Sequence, residues 1–441
     1  MIPQPNKLTS VTVWSGVGHM RRFLTLLTAA LVTTLTLAGS ADATGTGTAW
    51  VGTWGTAVTG AATPPQPATT FDNQTVRQVV HVSTGGAALR VRLSNEYGAG
   101  PLTIGAARVA RSAGGSAIAA GTDRPLTFGG RTEFTIPRGA PALSDPVRLA
   151  VPAQTDLVIS IFLPRSTPAA TQHSSAFQRT FIATGDATRE ANLAGAQETT
   201  SWYFLSGVSV TGNARAGSVV AFGDSITDGA VTTVDANHRW PDFLARRLHA
   251  DRALRDVGVV NKGIGGNRLL YDGNTLPDPP FGGLGPIFGD SALSRFDRDV
   301  AAQAGARHVI VLLGINDIGQ PGSISPESEA VSTDDLIFGH RELIARAHER
   351  GLRIYGATLT PFQDTTIPGY YTPANETKRQ ALNAWIRTSG EYDAVIDFDR
   401  AVRDPAQPGR MLPGFDSGDH LHPNDAGMKA MADAIPLRLF R

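Results

Sequence analysis

Four short stretches of the chain carry residue types that can do acyl-transfer chemistry. They are Gly223-Asp224-Ser225, the glycine-rich NKGIGGNR from Asn261 to Arg268, GINDIG from Gly314 to Gly319, and DSGDHLHPND from Asp416 to Asp425. A serine hydroxyl becomes a nucleophile only when a base takes its proton, and that base needs a third group to hold its tautomer. His422 and Asp419, three residues apart on one short segment, can supply both, which makes the order along the chain Ser225, Asp419, His422. Acyl transfer also needs donors for the oxyanion that develops in the transition state. The backbone N–H of Ser225, the N–H of Gly266, where no side chain blocks close approach, and the side-chain amide of Asn316 are the candidates.

Other readings compete for the same residues. Ser225 can be the cap of a helix starting at Ile226 or Thr227, as serines after strands often are. The glycines at 263, 265 and 266 can suggest a phosphate loop, but their spacing is not G-x-G-x-x-G and no lysine stands where a P-loop needs one. His420 and His422 with Asp416 and Asp419 can be read as metal ligands, a reading that leaves Ser225 and Asn316 without a role. Asp224 and Asp228 are expected to be turn or cap residues. The remaining histidines, His173 among them, are expected to be packed or exposed. Asp399 and Arg400 follow the last clear strand, where they either line the pocket or end the strand.

These stretches need a scaffold that brings them to one place. From Ser218 onward short apolar strands alternate with helix-period segments: strands at 218–222, 256–261, 307–313, 352–359 and 395–398, helices at 240–250, 291–304, 334–350 and 376–389. This alternation predicts a parallel sheet covered on both faces, and such sheets bind ligands at the carboxyl ends of their strands. All four stretches fall there. In the third helix Leu336, His340, Leu343, Ile344 and Ala347 form one apolar stripe, with Gly351 as a stop.

The preceding segment, 48–212, reads as strands. Val80 and Val82 before Gly85-Gly86, and Leu89, Val91 and Leu93 after it, alternate with polar residues as a hairpin with one buried face would. Val147, Leu149 and Val151, then Leu157, Ile159, Ile161 and Leu163, repeat the alternation. An antiparallel β-sandwich is expected, followed by a second domain over 217–441. The glycine- and proline-rich segment 269–290 should lie over the site, with Tyr271, Phe281 and Phe288 as candidate substrate contacts.

Composition narrows the rest. Lysine plus arginine equals aspartate plus glutamate at 39 each, so no net field favours nucleic acid. Cysteine is absent, which excludes thiolate catalysis, disulfides and zinc-thiolate sites. Arg21 and Arg22, the apolar run Phe23 to Ala38, and Ala41-Asp42-Ala43 form the pattern of a secretory signal over residues 1–43, with translation starting at Met1 or Met20. The expectation is a secreted protein with no membrane insertion, acting as a monomer on a small-molecule or polysaccharide ester, without metal or cofactor.

The four blocks, in order, resemble the SGNH or GDSL-type hydrolases: Ser225 in GDSIT, Gly266 in NKGIGGN, Asn316 in GINDIG, and Asp419 with His422 in DHLH. The resemblance covers about residues 218–441. It implies a flavodoxin-like three-layer α/β fold, a Ser-Asp-His triad of Ser225, Asp419 and His422, and an oxyanion hole of Ser225, Gly266 and Asn316. The β-rich segment in front is similar to secreted actinobacterial members likened to carbohydrate acetylesterases. The implied activity is hydrolysis of short acyl or acetyl esters. A lipase or lysophospholipase is the alternative, and a polysaccharide-binding protein with an inert hydrolase domain is the alternative of another class.

Overall fold

The computed structural model describes residues 49–213 and 216–441; the expected signal segment 1–43 lies outside them. The first half is built mainly from β1 (Ala49–Gly55), β2 (Gln74–Val82), β3 (Gly86–Ser94), β4 (Ala106–Gly114), β5 (Val147–Val151), β6 (Thr155–Leu163), β7 (Thr171–His173), β8 (Thr180–Thr184) and β9 (Leu205–Gly212). One antiparallel sheet contains β1, β9, β3 and β5, and a second contains β8, β2, β6 and β4. Leu89, Val91, Val80, Ile159 and Ile161 are fully buried in one core, because each strand turns every second side chain to the same side. The strand β7 belongs to a small third sheet, between Thr59–Gly60 and Trp202–Tyr203.

The expected hairpin at Gly85-Gly86 is not formed. β2 pairs with β6 and β8, whereas β3 pairs with β5 and β9, so the chain crosses from one sheet to the other at this turn. Alternation reports that one face of a strand is buried, and both strands do bury one, from opposite sides of the same core. The connecting residues bond elsewhere: Ser83 N–H donates to Thr53 O at 2.8 Å, and Thr84 N–H to Thr53 Oγ1 at 2.9 Å. β5 and β6 are likewise in different sheets.

The second half is the α/β part. Its strands are β10 (Ser218–Gly223), β11 (Gly258–Gly263), β12 (Ala306–Leu312), β13 (Arg353–Ala357) and β14 (Ala394–Ile396). They form one sheet in the order β11-β10-β12-β13-β14, parallel throughout, which is the flavodoxin-like order. The helices are α1 (Ser225–Asp228), α2 (Trp240–Ala250), α3 (Ala292–Phe296), α4 (Ile315–Gly319), α5 (Thr333–Glu349), α6 (Pro373–Thr388), α7 (Phe398–Val402) and α8 (Asp425–Asp433). α2 packs with α8 and α7, and α5 with α6 and α3, giving the two outer layers. The expected stripe of α5 is buried. Its N-terminus is closed by a capping box between Ser332 and Asp335, and Gly351 follows its end with a φ of 69°. The expected helix over 291–304 is shorter than its pattern: after α3 the backbone widens into one π turn over Asp297–Ala301. The last strand ends at Ile396, because the Asp397 side chain accepts from Arg400 N–H and starts α7.

The two halves form one compact unit. β1 lies against β11 so closely that a Cβ on Gly258 would stand 2.0 Å from Gly52 O. Ser83 Oγ donates to Val259 O at 3.1 Å and accepts from Val259 N–H at 2.8 Å. Lys262, buried at the end of β11, donates to Thr56 O at 2.7 Å and to Ser206 O at 3.2 Å.

Candidate active site

β10 ends at Gly223, and the chain turns into α1 with Ser225 as its first residue. The cap is Asp224 rather than Ser225: the Asp224 carboxylate accepts from Ile226 N–H at 3.0 Å, which leaves the serine hydroxyl available. A Cβ on Gly223 would stand 2.1 Å from Thr227 Oγ1, so only glycine permits this turn. Ser225 Oγ lies 2.8 Å from His422 Nε2, and His422 Nδ1 lies 2.6 Å from Asp419 Oδ2. Asp419 Oδ1 accepts in addition from the backbone N–H of Leu421 at 2.9 Å and of His422 at 2.8 Å. Burial opposes ionisation of Asp419, but the His422 ring and these two amides outweigh it and hold its carboxyl far below the usual range. A carboxylate can only accept, so Nδ1 carries the proton and Nε2 is left to accept from the Ser225 hydroxyl.

Gly266 and Asn316 come to the same place. Gly266 has a φ of 74°, and a Cβ there would stand 2.4 Å from Phe288 Cδ1. Among the described residues the N–H groups of Ser225 and Gly266 have no protein acceptor. Asn316, on α4 after β12, is oriented by two donors to its Oδ1: Tyr370 O–H at 2.8 Å and Gln320 Nε2 at 3.1 Å. Its Nδ2 donates one hydrogen to Asn267 O at 3.0 Å and has a second to offer. Gln320 also donates to Gly266 O at 2.7 Å, tying α4 to the glycine loop.

These side chains open into a cavity of ≈ 280 Å³. Phe281 and Phe288 line it, with Ile264, Ile287, Ile324 and Leu421. Tyr271, expected beside the two phenylalanines, is on the outside, with the Arg268 guanidinium 5.3 Å from its ring centre. The segment 269–290 reaches the cavity through Phe281, Ile287 and Phe288. The β-rich half supplies another wall: Thr59, His173, Ser174, Ser175 and Phe177 line the same cavity. His173 is 2% exposed, donates from Nδ1 to Ala57 O at 2.7 Å, and meets Asp228 Oδ1 with Nε2 at 2.9 Å. Asp228 is thus the partner of a histidine from the other half rather than a cap.

Arg295 was invisible in the sequence as a site residue. Its buried guanidinium donates to Gly223 O and Lys262 O, each at 2.8 Å, and its Nε to Asn267 Oδ1 at 3.0 Å, so it ties the ends of β10 and β11 to the glycine loop. Its charge is balanced by Asp299 at 3.2 Å, and its plane stacks over Phe222 at 4.2 Å. Asp317, next to Asn316, accepts from Leu269 N–H at 2.7 Å and Leu270 N–H at 3.0 Å and fixes the far end of that loop. His420 is outside the constellation, exposed, with Asp416 at 2.5 Å. Among the described residues no group of three or more histidine or acidic side chains could hold a metal. No helix among them is long and apolar enough to cross a membrane. Asp399 does not line the cavity; it is buried between Arg379, Arg387 and Arg403.

No curated protein matches the chain. Among solved structures it is similar to the native aryl esterase of M. Smegmatis, at 17% identity over 49% of this chain and 95% of that one, with a TM-score of 0.37. It is also similar to a mutant acetyl-xylooligosaccharide esterase from Geobacillus Stearmophilus, at 20% identity over 51% of this chain and 94% of that one, TM-score 0.36. A third is a GDSL-like lipase from Bacteroides thetaiotaomicron, at 19% identity over 51% and 87%, TM-score 0.35. The model of the GDSL-like lipase/acylhydrolase family matches residues 221–430, a span that begins inside β10 and ends inside α8 and therefore includes all four sequence blocks. Residues 221–430 accordingly form a GDSL-like lipase/acylhydrolase domain, and the protein is a carboxylic ester hydrolase.

Proposed function

We propose that the protein is a secreted serine esterase that cleaves short acyl esters, acetylated carbohydrate among them, through an acyl-enzyme on Ser225. The observation that carries this reading is the chain Ser225 Oγ, His422, Asp419, at 2.8 and 2.6 Å. Ser225 Oγ attacks the ester carbonyl while His422 Nε2 takes its proton. The tetrahedral oxyanion is held by the N–H of Ser225, the N–H of Gly266 and the free Nδ2 hydrogen of Asn316. His422 then gives the proton to the departing alkoxide, and the carbonyl re-forms as the acyl-enzyme. A water loses a proton to His422, attacks the acyl carbon, and Ser225 leaves with that proton. Asp419 stays ionised and keeps the imidazole in the tautomer that accepts from serine. No step calls for a metal.

Ser225→Ala is expected to keep the fold and to reduce turnover of p-nitrophenyl acetate by about 10⁴-fold or more. A purified, folded variant with wild-type turnover would refute the mechanism. The apolar side chains around the cavity, Phe281, Phe288 and Ile287 foremost, favour a second reading in which the acyl group is longer, as in a lipase. Acetate release from acetylxylan, compared with hydrolysis of long-chain p-nitrophenyl esters, separates the two. Export is supported by the Arg21–Ala43 pattern alone. N-terminal sequencing of protein recovered from the culture medium tests it, with a start shortly after Ala43 expected.

A further inference from the structure

Arg90 and Arg92 are two residues apart on β3 and so project from the same face of its sheet. In register with them across β9 stand Ser209 and Gly207, and beyond those, on β1, Gly52 and Gly55. This face is turned toward the α/β half: a Cβ on Gly52 would meet Val260 Cγ1 at 2.9 Å and Ala304 O at 3.4 Å. The small residues at the centre leave a trough of ≈ 180 Å³ between the sheet and the segment Ala302–Ala304, edged by Trp50 and Trp54. It shares no lining residue with the catalytic cavity.

Both guanidinium groups at this trough lack a counter-charge. Arg90 stacks over Trp50 at 4.6 Å, and its Nε is buried with no acceptor. Among the described residues neither Arg90 nor Arg92 makes a side-chain hydrogen bond or an ion pair. The carboxylate that feels Arg90, Asp145, is occupied by Thr127 Oγ1 at 2.7 Å and Gly130 N–H at 2.8 Å. Arg90 and Arg92 are only partly buried, so solvent reaches their other N–H groups, whereas the fully buried arginines are satisfied by the protein. Arg77, Arg268, Arg295 and Arg379 each donate to protein oxygens, as desolvated guanidinium groups must.

A carboxylate matches the fork of a guanidinium with two parallel hydrogen bonds, and aromatic edges beside such a pair suit the C–H face of a sugar ring. Ser209 Oγ adds a donor and acceptor for a ring hydroxyl. We propose that this trough is a second binding site, one that takes the carboxylate of a uronic acid residue in an acidic polysaccharide through Arg90 and Arg92. The site is independent of which ester the catalytic cavity cleaves.

Titration calorimetry on the full chain tests this, with oligogalacturonate, neutral xylo-oligosaccharide and inorganic sulfate as probes. Saturable binding of oligogalacturonate, weakened by salt, with none of the neutral oligomer, is expected. Arg90→Gln and Arg92→Gln should each weaken that binding by about tenfold or more. Gly207→Val should do the same by filling the trough, where an added Cβ meets only Trp54 O at 3.6 Å. Hydrolysis of p-nitrophenyl acetate should be unchanged in all three variants. The proposal is overturned if oligogalacturonate does not bind, if the neutral oligomer binds equally well, or if the three variants bind like wild type. It is also overturned if sulfate binds as tightly as oligogalacturonate, because the site would then be a plain anion site.

Discussion

Asp224 and Asn316 flank the Ser225 hydroxyl with opposite electrostatic problems. Asp224 is fully buried; its Oδ1 caps Ile226, but its Oδ2 has no partner. Burial pushes its carboxyl up to about 7, against the pull of the Ile226 N–H. A carboxyl whose folded pKa is raised binds a proton in the folded state that the unfolded chain has already released, so stability falls as pH rises from about 4 to about 7. Asp224→Asn retains an oxygen for the cap and removes this titration. Chemical denaturation near pH 5 and near pH 8 should therefore show wild type losing stability relative to the variant over that interval; equal losses would mean the carboxyl titrates normally. Asn316 has the converse task of offering a hydrogen. Asn316→Ala should lower kcat by about 10² to 10³ with little change in KM, since its free N–H meets an oxyanion that exists only in the transition state. A loss confined to KM would place it in ground-state binding instead.

At the scale of elements, what the sequence disclosed and what it hid divide along a physical line. Ser225, Gly266 and Asn316 each follow an element whose pattern is plain, so polar or glycine residues at those ends stood out, and His422 stood out by its spacing from Asp419. The parallel sheet was legible for the same reason, since strand-helix alternation leaves few topologies, whereas its flavodoxin-like order was implied only by the family resemblance. Arg295 was hidden because an arginine in a helix-period segment reads as a solvent face, and only the chain path brings it under Gly223 and Lys262. His173 was hidden because its partner Asp228 is 55 residues away in the other half. The hairpin misreading at Gly85-Gly86 has the same root: alternation reports burial, and the partner strand is a matter of long-range packing. Asp399 illustrates how much such packing holds. It joins α7 to α6 through Arg379 at 2.8 Å, with neither side chain exposed, and it contacts Arg387 and Arg403 as well. Asp399→Ala leaves the buried Arg379 paired with Glu376 alone and should destabilise the protein by about 1–3 kcal/mol in denaturant titration. The turnover of the folded fraction should stay normal, because Asp399 is remote from the cavity lining.

For the whole molecule, the question is whether the β-rich half is an appendage or part of the enzyme. The contacts favour the second. Gly52, Ser83, Thr56 and Ser206 bond directly to the backbone or lysine of the α/β half, and Lys262 is fully buried only because the first half covers it. Separation would return that ammonium to water, but it would also expose Val259 and Val260 and free the amide and carbonyl groups along β11. The cavity would lose Thr59, His173 and Phe177 from its lining, and Asp228 would lose its histidine. Two consequences are expected. The full protein should unfold in a single cooperative transition by calorimetry and by tryptophan fluorescence, since Trp54 and Trp202 report on the first half and Trp240 and Trp385 on the second. Residues 216–441 expressed alone should melt at lower temperature than the full protein and hydrolyse p-nitrophenyl acetate with kcat/KM reduced by about tenfold or more, even though Ser225, Asp419 and His422 are all retained. Two separate transitions, or a shortened chain with full activity, would show that the first half is a passenger; a joint transition with impaired activity would make the β-rich half a working part of the active site.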